Sequence, residues 1–249
     1  MRTYLDNNIL VSIEDKQIEL DSLRTESLNC TEYVYSYAHI SELLEANDNS
    51  GQLTEKRIST IKNVTNNCYC YSYGNYIEFK VEKPQFVIET MKIHHKFFNS
   101  LRGSVKTFNP NREKLIAALK IDKKRINNYS PTEVIEHFNT LLKIETPLGF
   151  GDMVNIAGST LHGKIYAVFN FLDFLGYWSD RKNSKSNIAR YNDASHVFFA
   201  SSCDCFVSND LRARNKAKVA FELFNVKTKV YSFEEFERTS NGAKQYFHE

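Results

Sequence analysis

"CDCFVSNDLRARNKAKVAFELFNVKTKVYSFEEF", residues 203 to 236, decides the fold class. Its apolar "CFVS" is a short run of the kind buried on both faces of a parallel sheet, and Asn209 and Asp210 end it as turn formers. "LRARNKAKVAFELF" follows as a basic amphipathic helix, "KVY" as a strand, and Ser232 to Glu235 as a capping box that opens a last helix. Strand, helix, strand, helix is the order of a parallel α/β architecture.

The same reading extends outward. "SNIARYNDASHVFFASS" (186 to 202) places Ile188, Tyr191, Ser195 and Phe198 on one helical stripe and leaves Asp193 and His196, three apart, on another face. At the other end of the chain, "MRTYLDNNIL" (1 to 10) reads as a strand up to Leu5, with Asp6 at its C-terminal end and two turn-prone asparagines after it. A polar, helix-compatible stretch is expected to about Leu28. "TEYVYSY" (31 to 37) is a second strand, running into "AHISELLEA", where Ile40, Leu43 and Leu44 recur at helical spacing and Glu42 lies in the first turns. From about Asn47 to Lys185 the pattern is mostly helical. The exception is "CYCYSYGNYIEFKVE" (68 to 82), a hairpin about Gly74 whose aromatics read as buried sheet residues rather than as a base-stacking platform. Helix starts are expected at Asn109-Pro110 and Ser130-Pro131, and a core helix from Thr160 to Trp178. With 4 prolines, 9 glycines and no repeat or linker, the chain reads as a single domain, 1–249, in which 50–185 is a largely helical insertion.

Composition narrows the function classes. A length of 249 residues with 42% hydrophobic content suffices for a core. Thirty-two basic against thirty acidic residues, a formal charge of +2, exclude a dedicated polycation, so any nucleic acid would be held by local patches. Met1 to Leu10 lacks the apolar centre of a secretory signal, and the apolar run Ile165 to Trp178 is broken by Asn170 and Asp173 and too short to span a bilayer. The expectation is a soluble, cytoplasmic chain with no membrane partner. Five cysteines without scaffold spacing are expected as reduced thiols. The pairs Cys68/Cys70 and Cys203/Cys205 are set closer than the C-x₂₋₄-C of zinc sites.

In open parallel sheets ligands collect at the C-terminal strand ends. Asp6 and Asp210 stand directly after strands, Glu42 in the helix after another, and Asp193 in the helix leading to the Asp210 strand. Each alone reads equally as a cap, a turn former or a solvated charge. Their recurrence at separate strand ends points to one site. Converging carboxylates raise one another's pKa, and a divalent cation relieves that repulsion. Oxygen-only donors select Mg²⁺ or Mn²⁺, whose bound water can hydrolyse a phosphodiester. Arg181, Lys182, Lys185 and Arg190, with Arg212, Arg214, Lys216 and Lys218, flank these acids as candidates for RNA phosphates. "GSTLHGKI" (158 to 165) spells G-x-x-x-x-G-K, but Ile165 stands where Mg²⁺ binding needs Ser or Thr and no strong strand precedes it, so a nucleotide-binding protein is the weaker reading.

"YLDNNIL", "VYSYAHISELLEA", "NDASHVFFASSCDCFVSND" and "KVYSFEEF" resemble the motifs of PIN-like nucleases, over about the first fifty and last sixty-five residues. The resemblance implies a Rossmann-like α/β/α sandwich with a central parallel sheet, and a metal-dependent endoribonuclease. It makes Asp6, Glu42, Asp193 and Asp210 the first to fourth acids, catalytic and holding Mg²⁺ or Mn²⁺. Ser208 and Asn209 stand where the family has a Thr-x pair, and the Ser208 hydroxyl can fix metal-bound water or phosphate. His196, Arg190, Arg212 and Arg214 are the further substrate-binding candidates. Asp204 is an additional acid that either caps a strand entrance or touches the metal site from its edge. The helical middle exceeds a minimal member. The resemblance also implies an RNA substrate, a toxin or defence role and an inhibitory or activating protein partner, and a homo-oligomer is compatible with it. The alternative is a non-catalytic PIN-like nucleic-acid or partner-binding module; a DNA flap is a further candidate substrate.

Overall fold

The computed structural model describes residues 1–24, 31–46, 51–74, 76–92, 116–117, 121–179 and 186–242. The chain forms two compact units, one from residues 1–100, 199–211 and 228–249, the other from residues 101–198 and 212–227.

The first unit is built on a six-stranded sheet in the order β4-β3-β2-β1-β5-β6. Its strands are β1 (Arg2–Leu5), β2 (Glu32–Ser36), β3 (Cys68–Tyr73), β4 (Tyr76–Val81), β5 (Cys205–Val207) and β6 (Lys229–Tyr231). All pairs are parallel except β3 with β4. The register sets Thr3 beside Tyr33 and Cys205, and Leu5 beside Val207, so these residues share one face. On that face Leu5, Tyr33, Tyr35, Cys205 and Val207 join one apolar core that includes side chains from the following four helices. These are Ile9 and Leu10 of α1 (Asn7–Glu14), Ile40 and Leu43 of α2 (Tyr37–Glu45), Ile61 and Val64 of α3 (Gln52–Thr65), and Val87 and Ile88 of α4 (84–92). Tyr4, Val34 and Phe206 point to the opposite face and are buried as well. Burial of both faces is why these strands read as continuous apolar runs rather than as alternating ones. The expected α/β class with a mostly parallel central sheet is what the first unit has.

Local chemistry sets the element ends. The Asp6 carboxylate caps α1 by accepting from the Asn7 backbone N–H, and the helix ends at Asp15, before Lys16 at φ 56. Helix α1 is therefore shorter than the polar stretch expected to run to about Leu28. Among the described residues only the 3₁₀ turn Leu20–Arg24 adds helix there. The β3–β4 hairpin turns at Gly74, whose φ of 63 costs a glycine nothing. Its aromatics are not uniformly buried: Tyr69 packs on Tyr35, but Tyr73 and Tyr76 at the tip are 79% and 75% exposed.

The second unit is helical where it is described. It holds α5 (Lys123–Ile126), α6 (Pro131–Glu145), α7 (Phe150–Ala157), α8 (Leu161–Leu175), most of α9 (Ser186–Ala200) and most of α10 (Leu211–Leu223). The capping box at Ser130 forms as expected: its hydroxyl accepts from the Glu133 N–H, and the Glu133 carboxylate accepts from the Ser130 N–H at 2.7 Å. Rings at Phe138, Phe150 and Phe171 tie α6, α7 and α8 together. Asn109-Pro110 and the basic residues Arg181, Lys182 and Lys185 lie outside the described residues. In α9 the expected stripe is buried at Ser195 and Phe198 but not at its start, and burial extends beyond it. Ile188 is 40% exposed, whereas Asn192, Ser195 and His196 are buried.

The G-x-x-x-x-G-K segment is a helix–turn–helix junction. Gly158 ends α7, Thr160 caps α8, and a Cβ on Gly158 would come within 2.4 Å of the Gly163 carbonyl carbon and the Lys164 nitrogen. Its two glycines let two backbones meet; no described strand leads into it. Arg190 is also internal. It is buried, pairs with Asp173 at 2.7 Å, and donates to Asn170 and Asn187; Lys216, also buried, lies 3.7 Å from the same carboxylate.

His162 packs between the rings of Tyr191 and Phe198, and Ser195 spends its own proton on the Tyr191 carbonyl. The Ser195 oxygen therefore accepts from Nε2–H of a neutral His162, at 3.0 Å. Burial pushes this imidazole from 6.5 down to about 4. Between those values the unfolded chain binds a proton that the folded one refuses, so His162 contributes stability above pH 6.5 that is lost as the pH falls toward 4. Denaturant titrations across that window should show a steeper loss in the wild type than in His162→Gln; parallel curves would contradict the assignment.

Among the described residues no helix is long and apolar enough to cross a membrane.

Beyond β6 the first unit closes with α11 (Phe233–Gly242), opened by the expected capping box. Glu235 accepts from the Ser232 N–H and donates its own N–H to the Ser232 hydroxyl.

Candidate functional site

From β1 the chain proceeds to β2 on one side, and from β5 to β6 on the other. The C-terminal ends of β1 and β5 are thus the switch point of the sheet, where diverging connections leave a crevice. Asp6 follows β1, and Ser208, Asn209 and Asp210 follow β5.

Hydrogen bonds bring these residues together. Asp6 is 6% exposed, and its Oδ2 accepts from the Ser208 hydroxyl at 2.6 Å and from the Asn8 amide at 2.6 Å. Its Oδ1 accepts from the Asn7 N–H at 2.7 Å, and its own N–H donates to the Val207 carbonyl. Ser208 is fully buried, and its oxygen accepts from the Asp210 N–H at 3.1 Å and from the Asn8 amide at 2.9 Å. One hydroxyl therefore links the Asp6 carboxylate to the backbone N–H of Asp210. Asn8 Oδ1 accepts from the Asn209 N–H at 3.0 Å, and Asn209 Oδ1 accepts from the Phe233 N–H, which ties the loop to α11.

Glu42 is connected through Asn7. The Asn7 amide nitrogen donates to Glu42 Oε2, and its oxygen accepts from Arg57 at 2.5 Å. A guanidinium has no acceptor, so Arg57 fixes which end of the Asn7 amide faces Glu42. Arg57 is itself buried and bound to both carboxylate oxygens of Glu14. His39 sets the entry angle of α2. The Ser36 N–H donates to its Nδ1, which places the ring proton on Nε2, and this donates to the Leu5 carbonyl at 2.8 Å. The fully buried ring thereby pins the end of β1 to the helix that carries Glu42.

Two expected members stand elsewhere. Asp204 belongs to the opposite edge: it precedes β5, accepts from the Arg2 N–H at 2.7 Å, and exchanges backbone bonds with Arg2 and Lys229. It caps the strand entrance. Arg190 is committed to Asp173, so its guanidinium serves the interior rather than an exposed phosphate. Asp193, His196, Arg212 and Arg214 belong to the second unit; Asp193 is half-buried and His196 buried on α9.

Asn7, Asn8, Arg57 and His39 were not among the expected residues. The "LDNN" stretch carries a signal for two of them, since an N-cap aspartate puts the following asparagines in the first helical turn beside it. Arg57 has none, because its partner Glu14 is 43 positions away.

Four described cysteines are free and buried. Burial pushes Cys68 up to about 11 and Cys70 and Cys203 further, so they stay protonated at neutral pH. Among the described residues no group of three or more His, Cys, Asp or Glu side chains is placed to hold a metal ion. Comparison with family models, curated proteins and solved structures finds no match.

Proposed function

We propose that this chain is a PIN-like, divalent-metal-dependent endoribonuclease whose site lies at the C-terminal ends of β1, β2 and β5. The observation that carries the reading is the link from Asp6 through Ser208 to Asp210 at the sheet's switch point. A structural cap needs one carboxylate, whereas the Asp6 carboxylate here has Glu42 one asparagine away and the Asp210 backbone one hydroxyl away.

Carboxylate oxygens are donors of the kind a hard ion takes. Mg²⁺ is commonly held by one or two carboxylates, with water and substrate phosphate completing its shell, so a preassembled trio is not required. Asp6, Glu42 and Asp210 would hold Mg²⁺ or Mn²⁺, and the ion would supply an activated water and charge stabilisation. Asp193, the third acid by resemblance, belongs to the second unit, and Asp193→Asn tests its part. The chain's own residues orient these acids: Ser208 and Asn8 fix Asp6, and Arg57 fixes Asn7 against Glu42. A toxin or defence role, with a restraining or activating protein partner, extends this reading.

A second reading, a PIN-like module that binds RNA or a partner without cleaving, is favoured by the three donors already on Asp6. Single-stranded RNA incubated with the protein separates the two. Cleavage with Mn²⁺ or Mg²⁺ that stops in EDTA is the expected result; RNA binding without cleavage in any metal would select the module.

A further inference from the structure

We infer that β4 is a self-pairing edge through which two copies of this chain join their sheets antiparallel, centred on Phe79. This is independent of the nuclease reading. Strand β4 ends the sheet, and no described strand pairs with its outer side. Tyr73 and Tyr76 flank the two-residue turn and are therefore a hydrogen-bonded pair, as are Tyr71 with Glu78 and Tyr69 with Lys80 by alternation. The Glu82 N–H bond to the Asn67 carbonyl continues that alternation. The N–H and C=O groups of Ile77, Phe79 and Val81 consequently face outward, a ready template for another strand.

The sequence of this edge is complementary to itself. With Phe79 opposite its own copy, Ile77 meets Val81, Val81 meets Ile77, and Glu78 and Lys80 meet each other twice. The Phe79 and Ile77–Val81 positions would exchange backbone bonds, and the two Glu78–Lys80 positions would fall in the closer, non-hydrogen-bonded pairs. Shifting the register by one residue removes this match. The side chains also divide by face. Ile77, Phe79 and Val81 form an apolar row, with Val81 80% exposed, and Tyr76, Glu78 and Lys80 line the other face. There Tyr71 holds both charges: its hydroxyl donates to Glu78 at 2.5 Å, and the Lys80 ammonium lies 5.1 Å from its ring. A second copy covers the apolar row and sets an opposite charge across from Glu78 and from Lys80, the latter already 3.1 Å from Glu82 of its own chain, which fits an isologous two-fold interface.

Sedimentation velocity of the full chain over a concentration series tests this. The wild type is expected to dimerise with rising concentration. Glu78→Lys and Lys80→Glu, each placing like charges opposite one another, should each weaken the dimer about tenfold or more. An equimolar mixture of the two variants restores both pairs and should form a heterodimer. The double variant Glu78→Lys/Lys80→Glu should dimerise like the wild type even if one single variant folds poorly, with circular dichroism reporting the fold. A monomeric wild type, a dimer indifferent to the single changes, or a double variant that stays monomeric would each overturn the inference.

Discussion

Asp6→Asn is expected to lower the proposed metal-dependent RNA cleavage by at least about 100-fold while leaving the protein folded. Asparagine caps a helix as well as aspartate does, so α1 keeps its start. An amide offers one oxygen where the carboxylate offers two, and the donors from Asn7, Asn8 and Ser208 cannot all be matched. One orphaned donor costs about 1–3 kcal/mol, a loss that thermal melting will register as modest. Activity should fall much further, because the charge itself is removed from the place where the ion would sit. Cleavage within a few-fold of wild type, from a variant with a normal melt, would remove Asp6 from the mechanism.

The largest stability effect is expected at Arg57. Its side chain is 7% exposed and that of Glu14 2%, so either charge alone would be buried without its counter-ion. Arg57→Met or Glu14→Gln should each destabilise the protein by about 3–5 kcal/mol, measured from denaturant midpoints. Arg57→Met/Glu14→Gln should recover most of that, since no isolated charge remains. A double variant as unstable as the worse single one would refute the ion-pair explanation. Arg57→Met also frees the Asn7 amide to turn, so the contact with Glu42 loses its fixed orientation.

Much of the fold was legible where its signals are local. Apolar runs mark β1, β2 and β5, and the Ser130 and Ser232 boxes sit where serine and glutamate stand three apart. The positions of Asp6 and Asp210 followed from strand ends alone. Asp204, one residue before the same strand as Asp210, shows the limit. The sequence leaves both of its roles open, and only the parallel register sends it to the opposite edge. Long-range partners left no trace. Arg190 reads as one of a basic run, yet Asp173, seventeen residues earlier, draws it inside. Likewise, the spacing of Gly158 and Gly163 reflects how closely two helices approach, a requirement that resembles a phosphate loop only on paper. Exposure of Tyr73 and Tyr76 was equally hidden, because aromatic alternation does not say where a sheet ends.

On the proposed function, acids at the ends of β1, β2 and β5 would hold a divalent ion. Titration of Mn²⁺ into wild type, Asp6→Asn and Asp210→Asn, followed by the Mn²⁺ paramagnetic resonance signal, tests it without reference to any substrate. Uptake by the wild type and an affinity about tenfold or more weaker in each variant are the expected results. Equal affinity in all three proteins, or no uptake by the wild type, would contradict it.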